Sequence, residues 1–269
     1  MNINIEKIIQ TAKEAGEEIL KIYNGYIDVE YKEDKSPLTQ ADKNSHKVIE
    51  NSLKKLYSYP ILSEEGKDIP FEKRKHWEYF WLIDPLDGTK EFIKKNGQFT
   101  VNIALIHKNR PIFGVIFAPA IDTLYYGGLD IGAFKIENGV QTELVLNKSP
   151  NKAQLNIVAS KSHLNEETQE FIDFLKQKFG KVNTVSIGSS LKICLVAEGK
   201  ADIYPRLAPT MEWDTAAAHA VLNAVGGKIL KIEHLDDLKK GKISSLKELE
   251  YNKENLLNPY FVAIGRDVF

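Results

Sequence analysis

The sequence predicts an α/β (α+β) protein built in two halves, and three observations carry that expectation. Two helical apolar patterns precede a run of short strands in residues 1–150. Residues 151–269 instead alternate strand and helix, the signature of a sheet with helices packed on it. Between them, residues 141–154 turn polar around Ser149-Pro150, which places a domain boundary near 150. With 269 residues and 43% hydrophobic content the chain has enough apolar surface for a substantial core.

Taken in order, Ile5, Ile8, Ile9, Ala12, Ile19, Leu20 and Tyr23 recur at helical spacing, so residues 4–23 form an amphipathic helix that stops at Gly25. Residues 26–32 alternate as a short strand, and 33–37 form a polar loop. Thr39-Gln40-Ala41-Asp42 matches a capping box that opens a second helix with Val48, Ile49, Leu53 and Leu56 on its apolar face. Pro60–Gly66 is a brief strand running into Glu64-Glu65, and the charged stretch 67–76 reads as a surface loop. Tyr79–Ile83 is a buried strand that ends in Asp84-Pro85-Leu86-Asp87-Gly88-Thr89, because Pro85 lacks a ladder amide and Gly88 permits a tight turn. Strands follow over 99–107, 111–117, 123–126 and 132–136, closed by the Asn138-Gly139 turn. In the second half, strands are expected over 155–159, 182–187, 202–204, 228–230 and 260–264, with helices over 165–178, 190–198 and 214–225 and a charged, irregular stretch over 233–257.

Charge and composition remove several function classes. A formal net charge of −1, from 36 basic and 37 acidic residues, gives no long-range attraction to a nucleic-acid polymer or an anionic membrane. Any anionic ligand must be held by local groups. The single cysteine, Cys194, excludes a disulfide framework, and its place in an apolar helical run reads as packing. The six histidines show no zinc spacing, and neither a Walker loop nor a G-x-G-x-x-G element is present. No integral membrane segment is expected, and a cytoplasmic location is the default.

The chemistry concentrates in acids that follow strands. Asp84 and Asp87 flank Pro85 and Leu86 and can converge on a hard cation, which prefers oxygen ligands. Glu64 repeats the strand-to-carboxylate pattern, and the two strands are expected side by side. Asp214 stands just before an alanine-rich helix that can pack close enough for a distant carboxylate to join Asp84 and Asp87. Each residue also has a purely structural explanation: a capping box for Asp42, a solvated turn for Glu64, an N-cap for Asp214. Gly188-Ser189-Ser190-Leu191-Lys192 offers free amides and hydroxyls at a helix start, suited to an anion and equally to simple capping. Arg206 and the Lys161-Ser162-His163 triplet are further polar candidates, and His219 reads as packing or surface, not as a ligand.

Together, Glu64-Glu65, the Asp84–Thr89 motif and Trp213-Asp214-Thr215-Ala216-Ala217 resemble the inositol monophosphatase superfamily, over nearly the whole chain. The Lys161-Ser162-His163 triplet, Gly188–Lys192 and Tyr204-Pro205-Arg206 resemble more closely its 3′(2′),5′-bisphosphate nucleotidase branch, of the CysQ type. Ala218 departs from it, standing where several such sequences have glycine. The resemblance implies a layered αβαβα sandwich of the inositol monophosphatase/fructose-1,6-bisphosphatase type, with the active site between the halves. It implies two Mg²⁺ ions about 3.5–4 Å apart. Glu64, Asp84 and the Leu86 carbonyl, with Thr89 adjoining, would hold one; Asp84, Asp87 and Asp214 would hold the other. Asp42 corresponds to an outer acid beside a third ion or supporting catalysis. Gly88, Gly188, Ser189, Lys192 and Arg206 would line the substrate.

By the same resemblance the substrate is adenosine 3′,5′-bisphosphate, hydrolysed to AMP and phosphate by an activated water that Thr89 and Glu64 orient, with no phosphoenzyme. Lithium sensitivity is implied by the family and not by spacing. Two other readings stand beside it: an inositol or sugar monophosphatase on the same scaffold, and a non-catalytic nucleotide- or metal-binding protein. The complete acidic set speaks against the second.

Overall fold

A computed structural model describes residues 3–31, 37–66, 68–146, 154–159, 165–233, 236 and 245–265. Helix α1 (Ile5–Tyr23) starts where the Asn4 side chain accepts from the Lys7 amide at 3.1 Å, and it buries Ile8, Ala12, Ala15 and Ile19 along one face. Strands β1 (Val29–Tyr31) and β2 (Pro37–Thr39) form a small antiparallel pair. The expected strand is thus shorter, and part of the expected loop is paired. Helix α2 (Gln40–Leu56) has the predicted capping box: the Asp42 carboxylate accepts from the Thr39 amide at 2.7 Å, and Thr39 Oγ1 accepts from Ala41 at 3.2 Å.

Strand β3 (Ile61–Ser63) lies parallel to β4 (Tyr79–Asp87), side by side as expected. The intervening stretch is not all surface loop. It contains a turn of helix, α3 (Phe71–Arg74), whose Arg74 is buried. Pro85 does not end β4 either. Three steps from Asp84 to Asp87 on β4 face two from Asn102 to Thr100 on β5 (Thr100–His107), so one extra residue bulges where the ladder needs no amide from proline. Helix α4 (Thr89–Ile93) follows at once. Strands β6 (Arg110–Ala118), β7 (Thr123–Gly128), β8 (Gly132–Glu137) and an unforeseen β9 (Val140–Glu143) complete a seven-stranded sheet in sequential order β3 to β9.

The second half gives β10 (Gln154–Ala159), α5 (Glu166–Phe179), β11 (Lys181–Ser186), α6 (Leu191–Ala197), β12 (Ile203–Arg206), α7 (Ala216–Ala224), β13 (Lys228–Lys231) and β14 (Phe261–Ile264). Its five strands run in the order β11-β10-β12-β14-β13. Helix α7 starts two residues later than expected, after a 3₁₀ turn over Glu212–Asp214. The expected boundary near 150, the loop 33–36 and the Lys161-Ser162-His163 triplet lie outside the described residues.

Alternation along the strands sets the layers. Trp81, Ile83, Ile103 and Leu105 pack with Ile8, Ile19, Ile49 and Leu53 of α1 and α2. Phe80, Leu82, Ala104 and Ile106 point the other way, into a cluster with Ile193 and Val196 of α6, Val221 of α7, and Ile229 and Phe261 of the second sheet. The outer face of that sheet, with Ile157, Ile203 and Val262, receives Phe171, Ile172 and Leu175 of α5. The result is the αβαβα sandwich, with α6 and α7 in the middle layer. Close approach in that layer depends on small residues: a Cβ on Gly114 of β6 would sit 2.1 Å from the Ala217 carbonyl oxygen of α7. The alanine run therefore does what its composition suggests, bringing the start of α7 against the sheet that carries Asp84.

Candidate active site

The bulge in β4 turns two carboxylates toward one point. Asp84 is 1% exposed, and its Oδ1 accepts from the Leu86 amide at 3.1 Å. Asp87 Oδ2 accepts from the Ser190 amide at 2.6 Å and from Asn102 Nδ2 at 3.5 Å. Asp214 does not cap α7, where Thr215 holds the cap position; its Oδ2 accepts from the Met211 amide at 2.9 Å within the 3₁₀ turn. Carboxylate oxygens of Asp84, Asp87 and Asp214 lie within 4.8 Å of one another, although 127 residues separate the last two in sequence.

Burial and mutual repulsion govern this cluster. Removal from water pushes Asp84 well above the usual carboxylate range, and Glu64, Asp87 and Asp214 push it further. Asp214 is raised by burial, then by Asp87 and Glu64, against the pull of the Met211 amide. Asp87 is also raised by burial, tempered by Lys192 and by its hydrogen bonds to Ser190 and Asn102. Glu64 stands outside the closest group but shares the cavity with Asp87 and Asp214.

Beside the cluster, Thr89 Oγ1 lies 3.5 Å from Asp42 Oδ1 and 3.4 Å from the Leu86 carbonyl oxygen. Asp42 therefore serves two ends at once, its Oδ2 closing the capping box and its Oδ1 facing Thr89. Burial raises its pKa to about 6. The Leu86 side chain is buried in the core, and its carbonyl oxygen faces Thr89 Oγ1. Gly88 has φ +91°, the left-handed turn required of it, and its carbonyl accepts from the Phe92 amide at 2.9 Å.

A cavity of about 530 Å³ is lined by Glu64, Asp87, Thr89 and Asp214 and by residues of the second half. Lys192 and Arg206 line it together with Tyr204. Lys192 is 8% exposed, not a solvated side chain. Its Nζ donates to the Ser189 carbonyl at 2.6 Å and stands 5.7 Å from the Tyr204 ring centroid. Burial lowers its pKa to about 8, and the nearby Asp87 opposes that shift. Arg206 Nη2 donates to the Pro209 carbonyl at 2.8 Å, while its buried Nε has no hydrogen-bond partner among the described residues.

The helix-start cradle differs from the sequence expectation. The Gly188 amide donates to Gln98 Oε1 at 2.8 Å and the Ser190 amide to Asp87, so both serve the protein's own acceptors. Ser190 Oγ is likewise engaged, with Thr100 and Asn102, each at 2.9 Å. Ser189, at φ +47°, presents a buried Oγ with no partner among the described residues. Gly188 is needed for space, since a Cβ there would meet the Gln98 carbonyl at 2.7 Å.

Sequence reasoning missed Gln98 and Asn102, and it carried Tyr204 only as part of the Tyr204-Pro205-Arg206 motif. Of the two missed, only Asn102 left a trace, as a lone amide in the otherwise apolar run Val101–Ile106. Cys194 and His219 are buried, as their surroundings in the sequence suggest.

Comparison with known proteins identifies the family. The inositol monophosphatase family profile matches residues 4–258. A curated relative named 3′(2′),5′-bisphosphate nucleotidase CysQ, from Salmonella typhimurium, is 44% identical over 261 residues, covering 96% of this chain and 98% of the relative. The protein of the same name from Haemophilus influenzae is 37% identical over 267 residues, covering 98% and 94%. Among solved structures, CysQ from Bacteroides thetaiotaomicron, described as a bacterial member of the inositol monophosphatase family, superposes with a TM-score of 0.83 at 43% identity, covering 97% of this chain and 96% of that one. An IMPase of Thermotoga maritima shares the fold at 20% identity, with a TM-score of 0.75 and coverage of 97% and 91%. The chain belongs to the inositol monophosphatase family.

Proposed function

We propose that this protein is a metal-dependent 3′(2′),5′-bisphosphate nucleotidase that removes the 3′-phosphate of adenosine 3′,5′-bisphosphate. The observation that carries the reading is the close set of Asp84, Asp87 and Asp214 carboxylates beside a cavity that the buried Lys192 and the partly exposed Arg206 also line. The similarity to proteins named bisphosphate nucleotidases supports the substrate class.

The donor set fits Mg²⁺. All its side-chain ligands are carboxylate oxygens, and burial with mutual repulsion raises Asp84 and Asp214, a strain that a hard cation would relieve. Glu64, Asp84 and the Leu86 carbonyl would hold one ion, and Asp84, Asp87 and Asp214 another, with Asp42 at the margin. Divalent ions held there would supply neutralisation of the phosphate, activation of the nucleophile and stabilisation of charge on the leaving oxygen.

The protein's own groups supply orientation and proton handling. Thr89 Oγ1, with its hydrogen directed to Asp42 Oδ1 or the Leu86 carbonyl, keeps a lone pair for the attacking water. A proton from that water passes to Thr89 as Thr89 gives its own to Asp42, whose pKa of about 6 suits a transient acceptor. Glu64 orients the same water from the end of β3. Lys192 and Arg206 bind the second phosphate and hold the ribose 3′ side toward the acids.

Phosphate release with Mg²⁺ from adenosine 3′,5′-bisphosphate, inositol 1-phosphate and fructose 1,6-bisphosphate, compared by kcat/KM, tests the reading. The nucleotide is expected to lead by at least about tenfold, the discrimination of one charged contact. Preference for either of the others would assign a monophosphatase or sugar phosphatase. Nucleotide binding without any release would assign a non-catalytic role.

A further inference from the structure

The turn that carries Asp214 is held by a buried charged network reaching across the fold to the β3–β4 connection. Glu212, fully buried, accepts from the Asn252 amide at 2.6 Å, the Lys253 amide at 3.0 Å and Lys253 Nζ at 2.5 Å. Residues 252–254 are gripped in turn by Arg74, 3% exposed. Its guanidinium donates to Asn252 Oδ1 at 2.9 Å, the Lys253 carbonyl at 2.6 Å and the Glu254 carbonyl at 2.8 Å. Asn252 Nδ2 returns a bond to the Arg74 carbonyl at 2.7 Å, and Asn252 sits at φ +67° to make the turn. The 3₁₀ turn is pinned from its other side as well, by Glu212 N to the Leu256 carbonyl at 3.0 Å and Asn258 Nδ2 to the Met211 carbonyl at 2.7 Å.

A buried carboxylate two residues from Asp214 adds negative charge beside an already acidic centre. If the turn needed only a plug, an apolar side chain of similar size would serve stability as well or better. A carboxylate taking two successive amides and an ammonium fixes direction, which an apolar plug does not. We infer that Glu212 and Arg74 are positioning residues: through residues 252–254 they set the Asp214 carboxylate at the distance from Asp84 and Asp87 that a shared cation requires. This rests on the metal-dependent reading above and deepens it.

The test reads Mg²⁺ itself as the probe. Thermal melts of the metal-free full chain are recorded against rising Mg²⁺ for wild type, Glu212→Gln, Lys253→Met and, as a control, Phe171→Leu in the remote core under α5. Lys253→Met removes only the ammonium, so it stays informative should Glu212→Gln fold poorly. The Mg²⁺ concentration at half-maximal stabilisation is expected to rise about tenfold in Glu212→Gln and to a lesser degree in Lys253→Met, the range for groups that orient metal ligands. It should not move in Phe171→Leu, however much that variant melts early. In turnover, kcat should fall with KM for adenosine 3′,5′-bisphosphate nearly unchanged, and added Mg²⁺ should restore most of it. Wild-type half-points in both network variants would overturn the inference while leaving the phosphatase reading intact. A wild type that neither gains stability from Mg²⁺ nor releases phosphate would overturn both.

Discussion

Replacing Asp84 with asparagine should make the metal-free protein more stable while abolishing turnover. Asp84 is 1% exposed, and it meets Asp87 and Asp214 oxygens within 4.8 Å. At an effective dielectric constant of about 20, each such charged pair repels by on the order of 3 kcal/mol. Their raised pKa values mean the charges are partly suppressed in the absence of metal, which reduces the net relief to on the order of 2 kcal/mol. Asparagine keeps an oxygen for the Leu86 amide, so no local hydrogen bond need be lost. For a chain of this size that relief corresponds to a rise in Tm of about 4–8 °C. The assay is a pair of melts, with chelator and with excess Mg²⁺, alongside phosphate release. The variant should melt above wild type with chelator, gain little from Mg²⁺, and lose at least about a thousandfold in kcat, as loss of charge stabilisation at such a centre entails. A variant that melts below wild type in chelator, or that retains activity within tenfold, would refute the account of Asp84 as a repelled ligand shared between ions.

Other perturbations follow from the same geometry. Gly114→Ala places a methyl 2.1 Å from the Ala217 carbonyl, so α7 must retreat from β6; the variant should lose about 1–3 kcal/mol in chemical denaturation and weaken Mg²⁺ stabilisation with it. Burial raises Asp42 from 3.8 to about 6, so its protonated form is favoured by folding: the contribution is full below about pH 4 and lost as pH rises through 6. Asp42→Asn should therefore stabilise the metal-free protein above pH 7 by up to on the order of 3 kcal/mol and make no difference near pH 4, which melts across that range would show. Lys192→Met removes the buried ammonium from the cavity lining, and steady-state kinetics should register a rise of about 10–100-fold in KM for adenosine 3′,5′-bisphosphate with a smaller change in kcat.

The order of elements and the identity of the acids were legible because both are local. Helical spacing marked α1, the capping box marked α2, and strands ending in carboxylates marked Glu64, Asp84 and Asp87 before any contact was known. What stayed hidden depends on pairing partners. Pro85 reads as a strand terminator in isolation, yet β5 supplies one residue fewer opposite it and the strand continues through a bulge. Gly188 and Ser190 read as open donors, yet Gln98 and Asp87 occupy their amides from another segment. Arg74 reads as one more charge in a surface loop, although its partners, residues 252–254, lie 178 or more positions away.

Those hidden pairings bear on why the site can exist at all. Acids gathered at one buried centre oppose folding until a cation arrives, so something else must hold them in place in the metal-free chain. Each acid is anchored through a bond that does not need the metal: Asp84 to the Leu86 amide, Asp87 to the Ser190 amide, Asp214 to the Met211 amide, Asp42 to Thr39. One of these, Asp87 to Ser190, joins the two halves directly. A carboxylate that accepts from a backbone amide keeps its orientation whether or not its neighbours are charged. The acidic centre is therefore built as a set of amide-anchored arms on two hydrophobic clusters, and a cation entering it would neutralise groups already close to their working positions.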